Sequence, residues 1–137
     1  MVKCYVDSSV VLRYLLTADR ELERIRDFDQ PGTSELMAIE CQRVLQRYRL
    51  EGMISDRQLQ EAVSDFNELY DGLITFELTP QVKSRAAQAF PTVIGALGAL
   101  HLSTAMLWSQ LDPEPLVVLT ADQQLRTCAQ AAGLQAI

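Results

Sequence analysis

The chain has 137 residues, enough to bury a core of its own, and reads as one domain spanning residues 1–137. Its apolar fraction of 48% and charged fraction of 22% are those of a soluble globular protein, which argues against a disordered or fibrous chain. A formal charge of −6 gives no broad basic surface for gripping phosphates, although a bound divalent cation can reverse the local field of a carboxylate cluster.

Lys3–Val6 is a short apolar run that reads as a buried strand, and Asp7-Ser8-Ser9 supplies cap chemistry for a helix over Val10–Leu16. Asp7 and Arg13 interrupt this apolar N-terminus, so it is not read as a signal peptide, and no stretch approaches the ~20 apolar residues of a membrane span. The expected location is the cytoplasm. A second short helix is expected over Arg20–Phe28. Gln30-Pro31-Gly32 is expected to break the chain, with Thr33-Ser34 as the remnant of a very short strand.

Met37, Cys41, Val44, Leu45 and Tyr48 recur at helical spacing and leave Glu40, Arg43 and Arg47 on another face. After Gly52, Ser55 and Gln58 fit a capping box opening a helix with the stripe Leu59, Val63, Phe66 and Tyr70. Leu73–Leu78 returns to strand character. Thr79 and Pro80 open a helix carrying Val82, Ala86 and Phe90, and after Pro91 a further helix is expected to turn Leu97, Leu100, Thr104, Leu107, Trp108 and Leu111 to one side. Leu116–Thr120 is the clearest buried strand, Asp122 caps the helix after it, Gly133 ends that helix, and Leu134–Ile137 makes an edge strand. Cys4, Cys41 and Cys128 form no CxxC pair and fall on apolar positions, so they read as reduced core residues.

Strands alternating with helices predict an α/β three-layer sandwich with a central parallel sheet of four to five strands. In such sheets ligands collect beyond the carboxyl ends of the strands, at the point where strand order reverses. Asp7 and Asp122 follow the two strongest strands. Two adjacent carboxylates cannot cheaply ionise together unless a hard cation such as Mg²⁺ or Mn²⁺ joins them, and such an ion activates water and clamps phosphate. Either residue serves equally well as a helix cap, worth roughly 0.5–2 kcal/mol, and Glu40 can simply pair with Arg43. The residues alone reach a candidate carboxylate site in an α/β domain.

Four stretches resemble, in order and spacing, the motifs of PIN domains of the VapC-like toxin type: YVDSSVVLRYLL, TSELMAIECQRVLQR, LGALHLSTAMLW and LVVLTADQQLRTCAQAAGL. The resemblance covers nearly the whole chain. It implies a PIN-like parallel sheet and a metal-dependent endoribonuclease, the toxin of a type II toxin–antitoxin pair, working as a homodimer on an RNA substrate and blocked by a small antitoxin protein. By the same resemblance Asp7 and Asp122 hold Mg²⁺ or Mn²⁺, Glu40 assists directly or through water, and Thr120 and Ser8 orient carboxylates; local capping is the alternative for both hydroxyls.

The third motif departs from the pattern, because Gly98 stands where such domains usually carry a metal-binding Asp. No Asp or Glu lies between Arg85 and Asp112 to replace it. The loss is either natural, or an inactivating single-base change favoured by selection against a toxic nuclease, or compatible with reduced activity by the remaining carboxylates. The expectation is a chain of little or no nuclease activity, and the alternative function is a non-catalytic module that binds an antitoxin or other protein partner. A phospho-acceptor receiver domain fits poorly, since the only lysines are Lys3 and Lys83. His101, the only histidine, is read as a structural, partly buried residue. Arg43 and Arg47 are read as solvated, or as contacts for RNA phosphates or a partner's acidic groups.

Overall fold

The computed structural model describes all residues from Met1 to Ile137. Five parallel strands form one sheet: β1 (Lys3–Val6), β2 (Gln30–Ser34), β3 (Ile74–Phe76), β4 (Leu116–Leu119) and β5 (Gln135–Ala136), in the order β3-β2-β1-β4-β5. Parallel neighbours need long crossovers, and here helices supply them. α1 (Ser8–Thr17) joins β1 to β2, α2 (Leu36–Leu50) and α3 (Asp56–Asp71) join β2 to β3, α4 (Pro80–Ala86) and α5 (Ala96–Leu111) join β3 to β4, and α6 (Gln123–Ala131) joins β4 to β5. No helix is long and apolar enough to cross a membrane.

Residue alternation along β1 divides the core in two. Cys4 and Val6 face one layer with Val10, Val11, Met37, Cys41 and Phe66, whereas Tyr5 faces the other with Leu102, Ala105, Trp108, Leu125 and Cys128. The three-layer sandwich expected from the strand–helix alternation is therefore present, with α1 to α3 on one face and α4 to α6 on the other. All three cysteines are buried and unpaired, and burial pushes the Cys4 and Cys41 thiols up to about 12.

Several boundaries differ from the sequence expectation. Residues Glu21–Asp27 form a 3₁₀ segment rather than an α-helix. Side chains three apart eclipse in that geometry, which suits the Arg20–Glu23 and Glu21–Arg24 pairs. Gln30-Pro31-Gly32 does not break the chain but lies inside β2. Proline is tolerated there because β3 pairs only from Gly32 onward, leaving Pro31 on a stretch still open on one side. The inward face of α5 also differs. Leu97 and Leu111 are exposed, and the buried set is Ala99, His101, Leu102, Ser103, Thr104, Ala105 and Trp108. α5 is covered by the sheet on one side and by α4 and α6 on others, so small side chains and a histidine, not leucine periodicity, mark its buried surface.

The Ser55–Gln58 capping box, the Thr79 cap before Pro80 and the positive φ of Gly133 are as expected. Gly32 has a packing reason for being glycine: a Cβ there would lie 2.9 Å from the Trp108 ring and 3.2 Å from the Ile74 carbonyl oxygen. Gly32→Ala is expected to cost about 1–3 kcal/mol in urea unfolding, through forced movement of the ring against a fixed backbone. A change near zero would show that α5 does not press on β2 as described.

Candidate functional site

Strand order reverses between β1 and β4, because β1 leads on to β2 on one side while β4 leads on to β5 on the other. At the carboxyl ends of these two strands the Asp7 amide donates to the Leu119 carbonyl at 3.0 Å, which carries the ladder one residue further and brings Asp7 beside Thr120. Asp7 occupies the N-cap position of α1, yet its carboxylate makes no capping hydrogen bond. Instead Asp7 Oδ2 accepts from Thr120 Oγ1 at 2.8 Å and from Ser9 Oγ at 2.5 Å. The capping alternative for Asp7 therefore fails. For Thr120 the hydroxyl does hold a carboxylate, while also accepting from the Asp122 amide.

Glu40, one turn into α2, meets the same corner from the side. Its Oε1 accepts from Ser8 Oγ at 2.8 Å and contacts His101 Nε2. Ser8 Oγ also lies 3.2 Å from that nitrogen, and Asp7 Oδ1 lies 3.6 Å from it. On the far side of the ring, Nδ1 is 2.6 Å from the Tyr5 hydroxyl. Asp7, Ser8, Glu40, His101 and Tyr5 thus form one continuous polar network, drawn from β1, α1, α2 and α5. The suggested Glu40–Arg43 pair is not formed. Arg43 and Arg47 are exposed and make no ion pair.

Burial pulls the His101 pKa down, but the Glu40 hydrogen bond and the charges of Asp7 and Glu40 outweigh it, so the ring titrates above its ordinary 6.5. An imidazole that binds its proton more tightly when folded contributes stability in full below pH 6.5, and that contribution is lost as pH rises through the raised value. Unfolding free energies measured across this range are expected to fall with rising pH, and Glu40→Gln is expected to flatten the slope. A slope unaltered in the variant would remove His101 as its source. Burial also drives the Tyr5 hydroxyl well above its usual range, with the Asp7 charge adding to the effect, so Tyr5 is a neutral hydrogen-bonding group.

Asp122 stands on the same rim but apart from this network. Its Oδ1 accepts from the Gln124 and Leu125 amides, so here the capping alternative holds, and no hydrogen bond links its carboxylate to Asp7 or Glu40. The expected convergence of three carboxylates is thus two carboxylates and an imidazole, with the third acid one step away through Thr120. His101, read from the sequence as structural and partly buried, is fully buried, and it stands at the centre of the network. Ser9 was read from the sequence only as cap chemistry and Tyr5 was not singled out at all; a tyrosine two residues before an acid at a strand end carries no signal until β1 and α5 are known to touch.

Gly98 occupies the third position of α5, one turn before His101 and on the same side of the helix. Nothing in the backbone requires glycine. Its φ is not in the left-handed region, and a Cβ would meet only the Ile94 side chain, at 3.0 and 3.3 Å. The first turn of α5 has no acidic residue and its N-cap, Gly95, makes no side-chain bond. Oxygen donors are of the kind a hard cation takes, and Asp7 Oδ1, Glu40 Oε2 and Asp122 Oδ2 accept no hydrogen bond within the chain. In number they fall short: no group of three histidine, cysteine or acidic side chains is placed to hold a metal ion. The residues as they stand do not fit a divalent ion.

No protein-family model and no curated protein matches the sequence. Solved structures do match. VapBC2 of Rickettsia felis, bound to a DNA fragment from its promoter, aligns with a TM-score of 0.69 at 11% identity, over 100% of this chain and 98% of the other. DNA-bound VapBC of Salmonella typhimurium gives 0.70 at 12% identity over 100% and 98%. A toxin–antitoxin complex of Klebsiella pneumoniae gives 0.62 at 14% identity over 98% and 95%. At these identities the likeness is one of fold, and it extends over whole chains. With its all-parallel five-stranded sheet between two helical layers, the chain has the PIN-like fold of VapC proteins.

Proposed function

We propose that this chain is the toxin of a toxin–antitoxin pair, built as a metal-dependent endoribonuclease whose chemistry is disabled or impaired by Gly98. The observation that carries the reading is the network at the switch point, where Asp7 and Glu40 are held by Ser8, Ser9, Thr120 and His101 in a fold of this type. A structural hydrogen-bond cluster has no need of two carboxylates in one nearly buried corner. A site for a cation and a phosphate does. The hydroxyls of Ser9 and Thr120 take one oxygen of Asp7 and leave the other free, and Ser8 with His101 does the same for Glu40. RNA as substrate, a small antitoxin as partner, a homodimer and Mg²⁺ or Mn²⁺ as the ion belong to this proposal.

Gly98 favours a second reading, a binding module that has kept the fold without the chemistry. RNA cleavage assays with Mg²⁺ or Mn²⁺ separate the two. The unaltered chain is expected to cut little or not at all, and Gly98→Asp to gain cleavage that EDTA abolishes. The exchange suits the helix, because an acid in the first turn of α5 favours it by about 0.3–1 kcal/mol and glycine inside a helix costs about that much again, while the Ile94 side chain has to shift to admit the new Cβ. Equal cleavage by both proteins would refute the role given to position 98, and no cleavage by either would leave the binding module.

A further inference from the structure

His101 is the one member of the network with a partner on each ring nitrogen, and neither partner is a neighbour in sequence. Tyr5 from β1 meets Nδ1 at 2.6 Å, and Glu40 from α2 meets Nε2. The ring itself is 1% exposed and sits edge-on to the Tyr5 ring, with centroids 5.8 Å apart and planes at 69°. It has no access to solvent, and the partners on its two nitrogens set its orientation. Any buried imidazole needs both nitrogens paired, so filling this position with a histidine costs more than filling it with an aliphatic residue, and what sets this one apart is that one of its partners is the Glu40 carboxylate. Glu40, by contrast, is on the flank of α2 with a flexible side chain, and without the imidazole only the Ser8 hydroxyl would fix it.

We propose that His101 is a positioning residue: braced from behind by Tyr5, its Nε2–H holds Glu40 Oε1 against Ser8 and so presents Glu40 Oε2 beside Asp7. This rests on the nuclease reading for what Glu40 does once positioned, but the positioning itself does not depend on catalysis. The brace also explains why α5 carries a polar residue at its most enclosed turn. The position restored by an acid at 98 lies one turn away on the same helix, so α5 would carry both a reacting group and the device that orients the acid opposite it.

Because there is a single histidine, its ring can be followed without assignment ambiguity. In proton–nitrogen NMR of the unaltered chain, a low-field ring proton on Nε2 is expected. It should lose its low-field position in Glu40→Gln and keep it in Glu77→Gln, an exposed acid elsewhere, while Tyr5→Phe shifts Nδ1 alone. In the Gly98→Asp background, His101→Leu is expected to lower kcat for RNA cleavage about tenfold or more with KM within about twofold, as for other groups that orient a reacting residue. His101→Gln places an amide where Nε2 lies and should recover most of that loss, whereas His101→Asn reaches only the Nδ1 position and should not. A ring proton indifferent to Glu40→Gln, or glutamine no better than asparagine, would overturn the proposal. Should no variant cut RNA, the nuclease reading falls and the NMR measurement alone decides whether His101 positions Glu40.

Discussion

Trp108→Ala is expected to remove about 3–5 kcal/mol of stability, a large part of the ~5–15 kcal/mol available to a domain of this kind. Trp108 is 6% exposed, packs on Phe76 with ring centroids 4.9 Å apart, and its ring edge takes the space a Cβ at Gly32 would need. It also covers a buried cation. Lys3 is fully buried at the start of β1, donates to the Asp112 carbonyl at 2.9 Å, and places its ammonium 5.4 Å from the Trp108 ring centre. Truncation removes the aromatic cover from that charge and opens the ring's volume into a groove of about 360 Å³ that Trp108 already lines with Phe76 and Val82. Water can then reach Lys3, which limits the electrostatic part of the loss; the dispersion and transfer part remains. Circular dichroism in urea is the measurement to use, since the variant has no tryptophan left to report by fluorescence. A loss under about 1.5 kcal/mol would mean that α5 is anchored elsewhere.

The second large effect concerns chemistry. In the Gly98→Asp background, Asp7→Asn is expected to reduce RNA cleavage by more than about 100-fold, beyond the 10–100-fold typical of residues that merely support a site. The amide keeps the size of the side chain and an oxygen for the Ser9 and Thr120 hydroxyls, so the local fold has reason to persist. What disappears is the charge. On the proposed reading that charge, in a corner where water is largely excluded, is what recruits the cation and sets the field felt by the scissile phosphate. Cleavage surviving in Asp7→Asn would move the chemistry away from the β1–β4 switch point altogether.

How much of this was legible before the fold was known depends on how local each signal is. Caps and strands were readable because their causes lie within a few residues: Ser55 with Gln58, Thr79 with Pro80, and the apolar runs at β1 and β4. The inward face of α5 was not, because a helix enclosed on several sides buries alanine, serine and threonine as readily as leucine. The site divides in the same way. Asp7 was found from its place after a strand and Glu40 only through the resemblance to PIN-domain motifs, whereas their link through Ser8 and His101 joins residues 61 positions apart and has no local trace. Asp122 shows the reverse case. Its position after β4 made it look like a partner of Asp7, but the amides at the start of α6 are nearer claimants for its carboxylate.

Anomalous scattering from Mn²⁺ introduced into crystals of the Gly98→Asp variant is the most direct measurement. On the proposed reading the corner at Asp7 lacks one ligand for a cation, and returning a carboxylate at position 98 should make it competent. The expected result is a single strong peak bonded to Asp7 and to the introduced carboxylate, with Glu40 within reach directly or through water, and no peak there in the unaltered chain. A peak on other acidic residues, or none at saturating Mn²⁺, would contradict the account.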